Sequence, residues 1–293
     1  MSRVEIMKTY KIYIGGKFPR TESGRFYTPK IEGKSLGNIC LSSRKDVRNS
    51  VVAARNAFGG WSGKTAYNRC QILYRIAEML EGRKAQFVEE LIQQGSSKKE
   101  AEKEVDASVD RIIYYAGWCD KYTQLFSSVN PVASSHFNFS APEPTGVVSI
   151  FAPEENSLIG LISTIMPVIA SGNTCVVLAS ENMPLCSVTF AEVLNSSDVP
   201  GGVINILTGQ RKELLEHMAS HMDVNAFLYT GTNKKEILTV EEFAVNNLKR
   251  VRVKDMSDIY SDEHETPYYI ENFIEIKTTW HPIEKIGATG SGY

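Results

Sequence analysis

The chain has 293 residues, 42% hydrophobic and 23% charged, with a formal net charge of -2. That composition is ordinary for a soluble globular protein and leaves room for one large α/β domain or two small ones. The balanced charge excludes a nucleic-acid footprint and a basic membrane face, and no apolar run approaches the roughly 20 residues that span a bilayer.

Met1 to Lys11 mixes charges without an apolar h-region, so no signal peptide is expected. The five cysteines, at 40, 70, 119, 175 and 186, contain no Cys-x-x-Cys pair and are odd in number, which points to a reduced, cytoplasmic protein. Tyr10 to Phe18, with Gly15-Gly16 inside it, reads as a β-hairpin. Ser43 with Asp46 starts a helix of capping-box type. Val47, Val51, Ala54 and Phe58 follow at helical spacing, and Gly59-Gly60 should end the run. Thr65 to Gln94 reads as one or two helices stopped by Gly95. Ser97 with Glu100 caps the next, whose buried stripe is Val105, Val109, Ile112 and Ala116. Trp118 and Tyr122 near its end are read as core packing. Ser134 to Ser140 alternates around Phe137 and Phe139 and should be an exposed strand ended by Pro142 and Pro144.

From Gly146 onward strand and helix alternate. Strands are expected at 147–151, 174–178, 203–207, 225–229 and 249–253. Helices are expected at 157–171, with Pro167 kinking it, then at 185–195, 212–220 and 234–245. That order implies a mostly parallel, five-stranded Rossmann-like sheet with right-handed crossovers. The loop 179–182 would sit at the carboxyl edge of its strand, where open α/β sheets take ligands. His217 and His221, i,i+4 on a helix, lack a third ligand, so no metal is expected. Lys254 to Pro267 is polar and acidic and reads as a linker. Tyr268 to Trp280 alternates again through Ile270, Phe273, Ile274 and Ile276. The tail from Ile283 should be disordered.

The run Gly172-Asn173-Thr174, an apolar strand, then Ser180-Glu181 and Pro184 resembles the aldehyde dehydrogenase superfamily. The lysine that the superfamily carries after this strand is missing, because Ala179 follows directly. Gly146 to Arg250 resembles the superfamily's cofactor domain, and Tyr269 to Trp280 looks like its C-terminal oligomerisation strand. Between the two the superfamily has a catalytic domain bearing the nucleophilic cysteine; here residues 254–268 stand in its place. The combination is similar to the truncated, non-catalytic second domain of the tandem-domain branch, family sixteen. The resemblance implies an α/β fold with an N-terminal helical region (1–145), the Rossmann-like domain (146–253), the linker (254–268), and a strand (269–282) completing a small oligomerisation sheet before the tail (283–293).

The superfamily's chemistry needs a thiolate nucleophile, an asparagine for the oxyanion and a glutamate base. None carries over. Lys254 stands where the glutamate would be, and Glu155 where the asparagine would be, with Asn156 one place off. No catalytic residue is therefore assigned. A vestigial cofactor set is implied at Phe151, Ala152, Pro153, Glu181, Thr230, Gly231 and Thr232. Glu181 matches the ribose-binding glutamate, and Thr230-Gly231-Thr232 a helix start facing pyrophosphate. Arg211 and Glu236 each replace a glycine there. The resemblance so eroded implies no resident cofactor, with NAD or NADP the ligand if any is held. The strands 134–140 and 269–280 would join a homodimer or a full-length aldehyde dehydrogenase subunit. The expected function is a pseudoenzyme acting in assembly. The alternatives are an NAD(P)-binding regulator, or part of an NAD-dependent aldehyde oxidoreductase completed by another chain or domain.

Overall fold

In a computed structural model, which describes residues 7–283, short paired strands among residues 9–40 precede a run of helices. The Asp46 carboxylate accepts from the Ser43 N–H at 2.8 Å and opens α1 (Arg44–Ser62). This helix does not stop at Gly59-Gly60. Trp61 in its last turn is buried and donates its indole N–H to the Ile169 carbonyl at 3.0 Å. That anchor outweighs the helix cost of about 1 kcal/mol per glycine. Thr65 to Gln94 forms two helices, α2 (Ala66–Glu81) and α3 (Lys84–Gln93). The capping box of Ser97 and Glu100 starts α4 (Lys98–Trp118).

Two strands follow, β1 (Ser128–Asn130) and β2 (His136–Pro144). The expected end at the prolines is not observed, since β2 runs through both. The reason is positional: β1 pairs only with residues 138–140 of β2, so beyond them one side of β2 needs no ladder N–H.

The alternating region then supplies β3 (Val147–Phe151), α5 (Ser157–Ala170), β4 (Thr174–Leu178), α6 (Leu185–Asn195) and β5 (Ile204–Leu207). It continues with α7 (Arg211–Ala219), β6 (Ala226–Thr230), α8 (Lys234–Ala244) and β7 (Arg250–Lys254). The five strands form one sheet in the order β5-β4-β3-β6-β7, every pair parallel. Alternate side chains serve two cores. Val148, Ile150, Cys175 and Val177 face α2, α4, α5 and α6. Val147, Phe151, Val176 and Leu178 face α1, α7 and α8. Burial on both faces is what a short continuous apolar strand in a parallel sheet requires.

The Gly15-Gly16 turn is present, with Ile14 and Lys17 exchanging both backbone bonds at 3.0 Å and both glycines at positive φ. Its arms are single bridges rather than strands; Tyr13 pairs with Ile206 and covers the β5 edge.

After β7 the chain is less free than its acidity suggests. Met256 and Ile259 pack on Ile159. The Arg111 guanidinium donates to Ser163 Oγ at 2.7 Å, the Ile259 carbonyl at 3.2 Å and Glu265 Oε1 at 3.1 Å. Tyr268–Glu271 is a helical turn, so the last strand starts at Ile274 rather than Tyr269. The alternation misled because Ile270, Phe273 and Ile274 all turn into one core. That strand, β8 (Ile274–Pro282), pairs antiparallel along the whole of β2 and leaves its other edge open in the order β8-β2-β1. The expected disordered tail, apart from Ile283, lies outside the described residues, as do residues 1–6 of the segment read for a signal peptide. His221 falls beyond the end of α7, so it does not share a helix with His217. Among the described residues no three metal-ligating side chains cluster, and no helix is long and apolar enough to cross a membrane.

Candidate functional site

In this sheet β3 comes first in the chain; β4 and β5 lie to one side and β6 and β7 to the other. The switch point therefore falls between β3 and β6, and a crevice opens at their carboxyl ends. Two adjoining cavities of about 250 and 470 Å³ share Glu154, Arg211, Gly231 and Thr232 as walls. Pro153 and Thr230 line the first and Glu181 the second. Phe151 ends β3 and Ala152 follows it, both buried, and Thr230 Oγ1 donates to the Phe151 carbonyl at 2.6 Å. Every residue of the expected cofactor set thus belongs to this crevice or its floor.

The same crevice is crossed from within. Arg211, the first residue of α7, sends its guanidinium across the opening. Nη1 donates to the Thr230 carbonyl at 3.2 Å, and Nη2 donates to the Ala152 carbonyl. The cation lies 5.5 Å from the Phe151 ring centroid and 5.6 Å from that of Tyr229. Nε stands 3.0 Å from Glu154 Oε1. No aligned hydrogen bond reaches that oxygen, so the contact is Coulombic. The second oxygen, Glu154 Oε2, accepts from Ser180 Oγ at 3.0 Å and the Glu181 N–H at 2.9 Å. The loop after β4 thus holds the Glu154 carboxylate, which comes from the loop after β3, in an anion-binding concavity.

The helix start is also partly spent. The Gly231 N–H donates to the Lys254 carbonyl at 3.0 Å, and Asn233 Oδ1 caps the N–H groups of Lys235 and Glu236. Glu236 accepts from the Tyr229 hydroxyl at 2.7 Å; burial and that carboxylate push the phenol up to about 12. The Tyr27 hydroxyl donates to the Glu181 carbonyl at 3.1 Å, and burial raises its phenol as well. Arg211, Glu154 and the Lys254 carbonyl thus take strand-end space and N–H groups that would otherwise border a ligand in this crevice.

Chemistry at a carbonyl would need an accessible thiolate. Cys40, Cys119, Cys175 and Cys186 are buried and Cys70 is half-buried. Burial raises the Cys70, Cys175 and Cys186 thiols, and pushes Cys119 up to about 12. None of the five lines either cavity. Lys254 is lowered by burial and then by the Arg252 charge, and its ammonium lies 4.3 Å over the Tyr269 ring. Glu155 is exposed.

The sequence marks Arg211 only as a replaced glycine and gives no reading of Glu154. A cation where a phosphate-contacting glycine is expected, with a glutamate after β3, was the signal that could have paired them.

The DhaS protein of Bacillus subtilis is 31% identical over 254 residues, 84% of this chain and 50% of that protein. Cytosolic 10-formyltetrahydrofolate dehydrogenase of Mus musculus is 28% identical over 261 residues, 87% of this chain and 29% of that enzyme. The structure of an aldehyde dehydrogenase from Bacillus cereus in complex with NAD+ superposes with a TM-score of 0.80 at 24% identity, over 85% of this chain and 51% of that one. With a cofactor bound in a relative of this fold, the expectation that no cofactor is held gains no support from the comparisons. The chain spans about half, or less, of the length of the curated relatives it matches. The aldehyde dehydrogenase family profile matches residues 18–254, most of the sequence, and the chain belongs to that family.

Proposed function

We propose that this chain is a non-catalytic member of the family that serves as an assembly module. It would pair through β8 and β2 with a second copy or with a full-length aldehyde dehydrogenase subunit, as the truncated domains of the tandem branch would. The observation that carries this reading is β8 itself. Eight of its nine residues are exposed, among them Ile276 and Trp280, and its outer edge has no neighbour among the described residues. Val129 and Phe137 are exposed on β1 and β2 of the same sheet. A long open edge with apolar side chains is either an interface or an aggregation hazard, and selection removes the second. The closed thiols and the guanidinium lying across the crevice support the absence of turnover.

Light scattering on a sizing column tests the reading. The chain should run as a dimer, or enter a complex with an equimolar full-length family enzyme, and Ile276→Lys with Trp280→Lys should abolish either. A monomer that binds neither partner, or aldehyde-dependent NADH formation by the purified chain, refutes it.

A second reading, an NAD- or NADP-binding regulator, is supported by the convergence of Glu181, Thr230, Gly231 and Thr232 on one crevice. Titration calorimetry with both nucleotides separates it from the first.

A further inference from the structure

We infer that Arg211 and Glu154 form an internal latch that closes the switch-point crevice to dinucleotides, so that Arg211 opposes nucleotide binding rather than serving it. A cation beside a nucleotide crevice would ordinarily be read as a phosphate ligand. Three observations point the other way. The guanidinium is committed in several directions at once, to the Thr230 and Ala152 carbonyls and to Glu154. Its side chain is only 14% exposed, and both its rings, Phe151 and Tyr229, lie within the fold. Glu154, its counter-charge, is tied by its other oxygen to Ser180, Glu181 and Asn182, across the strand ends from α7.

The latch therefore spans the crevice from the α7 start to the β4 loop. It takes the strand-end carbonyls and the loop N–H groups that would otherwise border a ligand. A pyrophosphate entering here meets the Glu154 carboxylate at close range and must displace a guanidinium that already has acceptors. Binding of a dinucleotide and closure of the latch are mutually exclusive, so whatever releases the latch raises affinity by the fraction of molecules it opens.

The test is calorimetric titration of the intact chain, Arg211→Ala and Glu154→Gln with NAD and with NADP. Alanine at the first position of α7 suits a helix start, and circular dichroism with thermal melting confirms that each variant is folded. Glu154→Gln keeps the shape of the side chain and removes its charge, which provides a second variant should Arg211→Ala fail to fold. Affinity for at least one nucleotide should rise tenfold or more in Arg211→Ala and several-fold in Glu154→Gln. Weaker or equal binding by both variants overturns the latch. The inference is separable from both functional readings. Tight binding by the unaltered chain with no gain in the variants would sustain the regulator and sink the latch. Weak binding rescued by the variants does the reverse, and the assembly state is read by scattering in either case.

Discussion

Replacing Asn173 by alanine should loosen the C-terminal strand from the sheet. Asn173 is fully buried at the turn into β4. Its Oδ1 accepts from the Gly146 N–H at 2.7 Å, and its Nδ2 donates to Ser171 Oγ at 2.8 Å and to the Phe273 carbonyl at 2.7 Å. It thus ties the start of β3 to the residue just before β8. In Asn173→Ala the Gly146 N–H has no substitute partner, whereas the Phe273 carbonyl keeps the Thr145 N–H at 3.2 Å. An orphaned buried N–H costs about 1–3 kcal/mol and each of the two lost but replaceable bonds about 0.5–1.5 kcal/mol, so the total is about 2–6 kcal/mol, centred near 4 kcal/mol. Against a stability of about 5–15 kcal/mol this should lower the melting temperature by roughly 10 °C. Thermal melting gives the magnitude and amide exchange gives the place: protection should fall first in 274–282. A melting temperature within about 2 °C of the unaltered chain, or an equal loss of protection throughout, would refute the reasoning.

Two further outcomes follow from buried charges. Arg111→Met removes the strap that holds 255–267 against α4 and α5, with Glu265 partly exposed as its counter-ion. It should cost about 2–4 kcal/mol and speed limited proteolysis within that segment; an unchanged cleavage pattern contradicts it. Lys249 is lowered by burial to about 8, although its ammonium donates to the His221 carbonyl at 3.0 Å. Below pH 8 both folded and unfolded chains carry the proton, and the burial cost is fully present. Above pH 8 the folded chain releases it while the unfolded chain, with a lysine near its usual value of about 10.4, still holds it. Unfolding free energy should therefore climb between pH 8 and about 10.4. Denaturant melts of Lys249→Met should show that climb abolished; a slope equal to that of the unaltered chain counts against a buried, depressed lysine.

The aldehyde dehydrogenase frame shows in the sequence as a contiguous run of residues with demanding geometry. Gly172 sits at φ +92°, where side chains are strained; Asn173 ties two strands; Thr174 Oγ1 donates to the Ala54 carbonyl at 3.0 Å. That run is contiguous even though its bonds reach residues 100 and 120 positions away; helix caps and the strand-helix alternation depend on neighbours in the chain, so the caps and the all-parallel sheet are legible in sequence order. What sequence could not decide depended on residues far apart in the chain. Trp61 carried α1 past two glycines because Ile169 met it, and Ile270 and Phe273 left an alternating pattern because the core lay on one side. The crevice is the sharpest case. Position 211 reads in sequence as an isolated replacement of a glycine, and position 154 carries no signal of its own. Only folding brought the guanidinium and the carboxylate to 3.0 Å across the strand ends, because charge pairing depends on separation in space and the chain order conceals it.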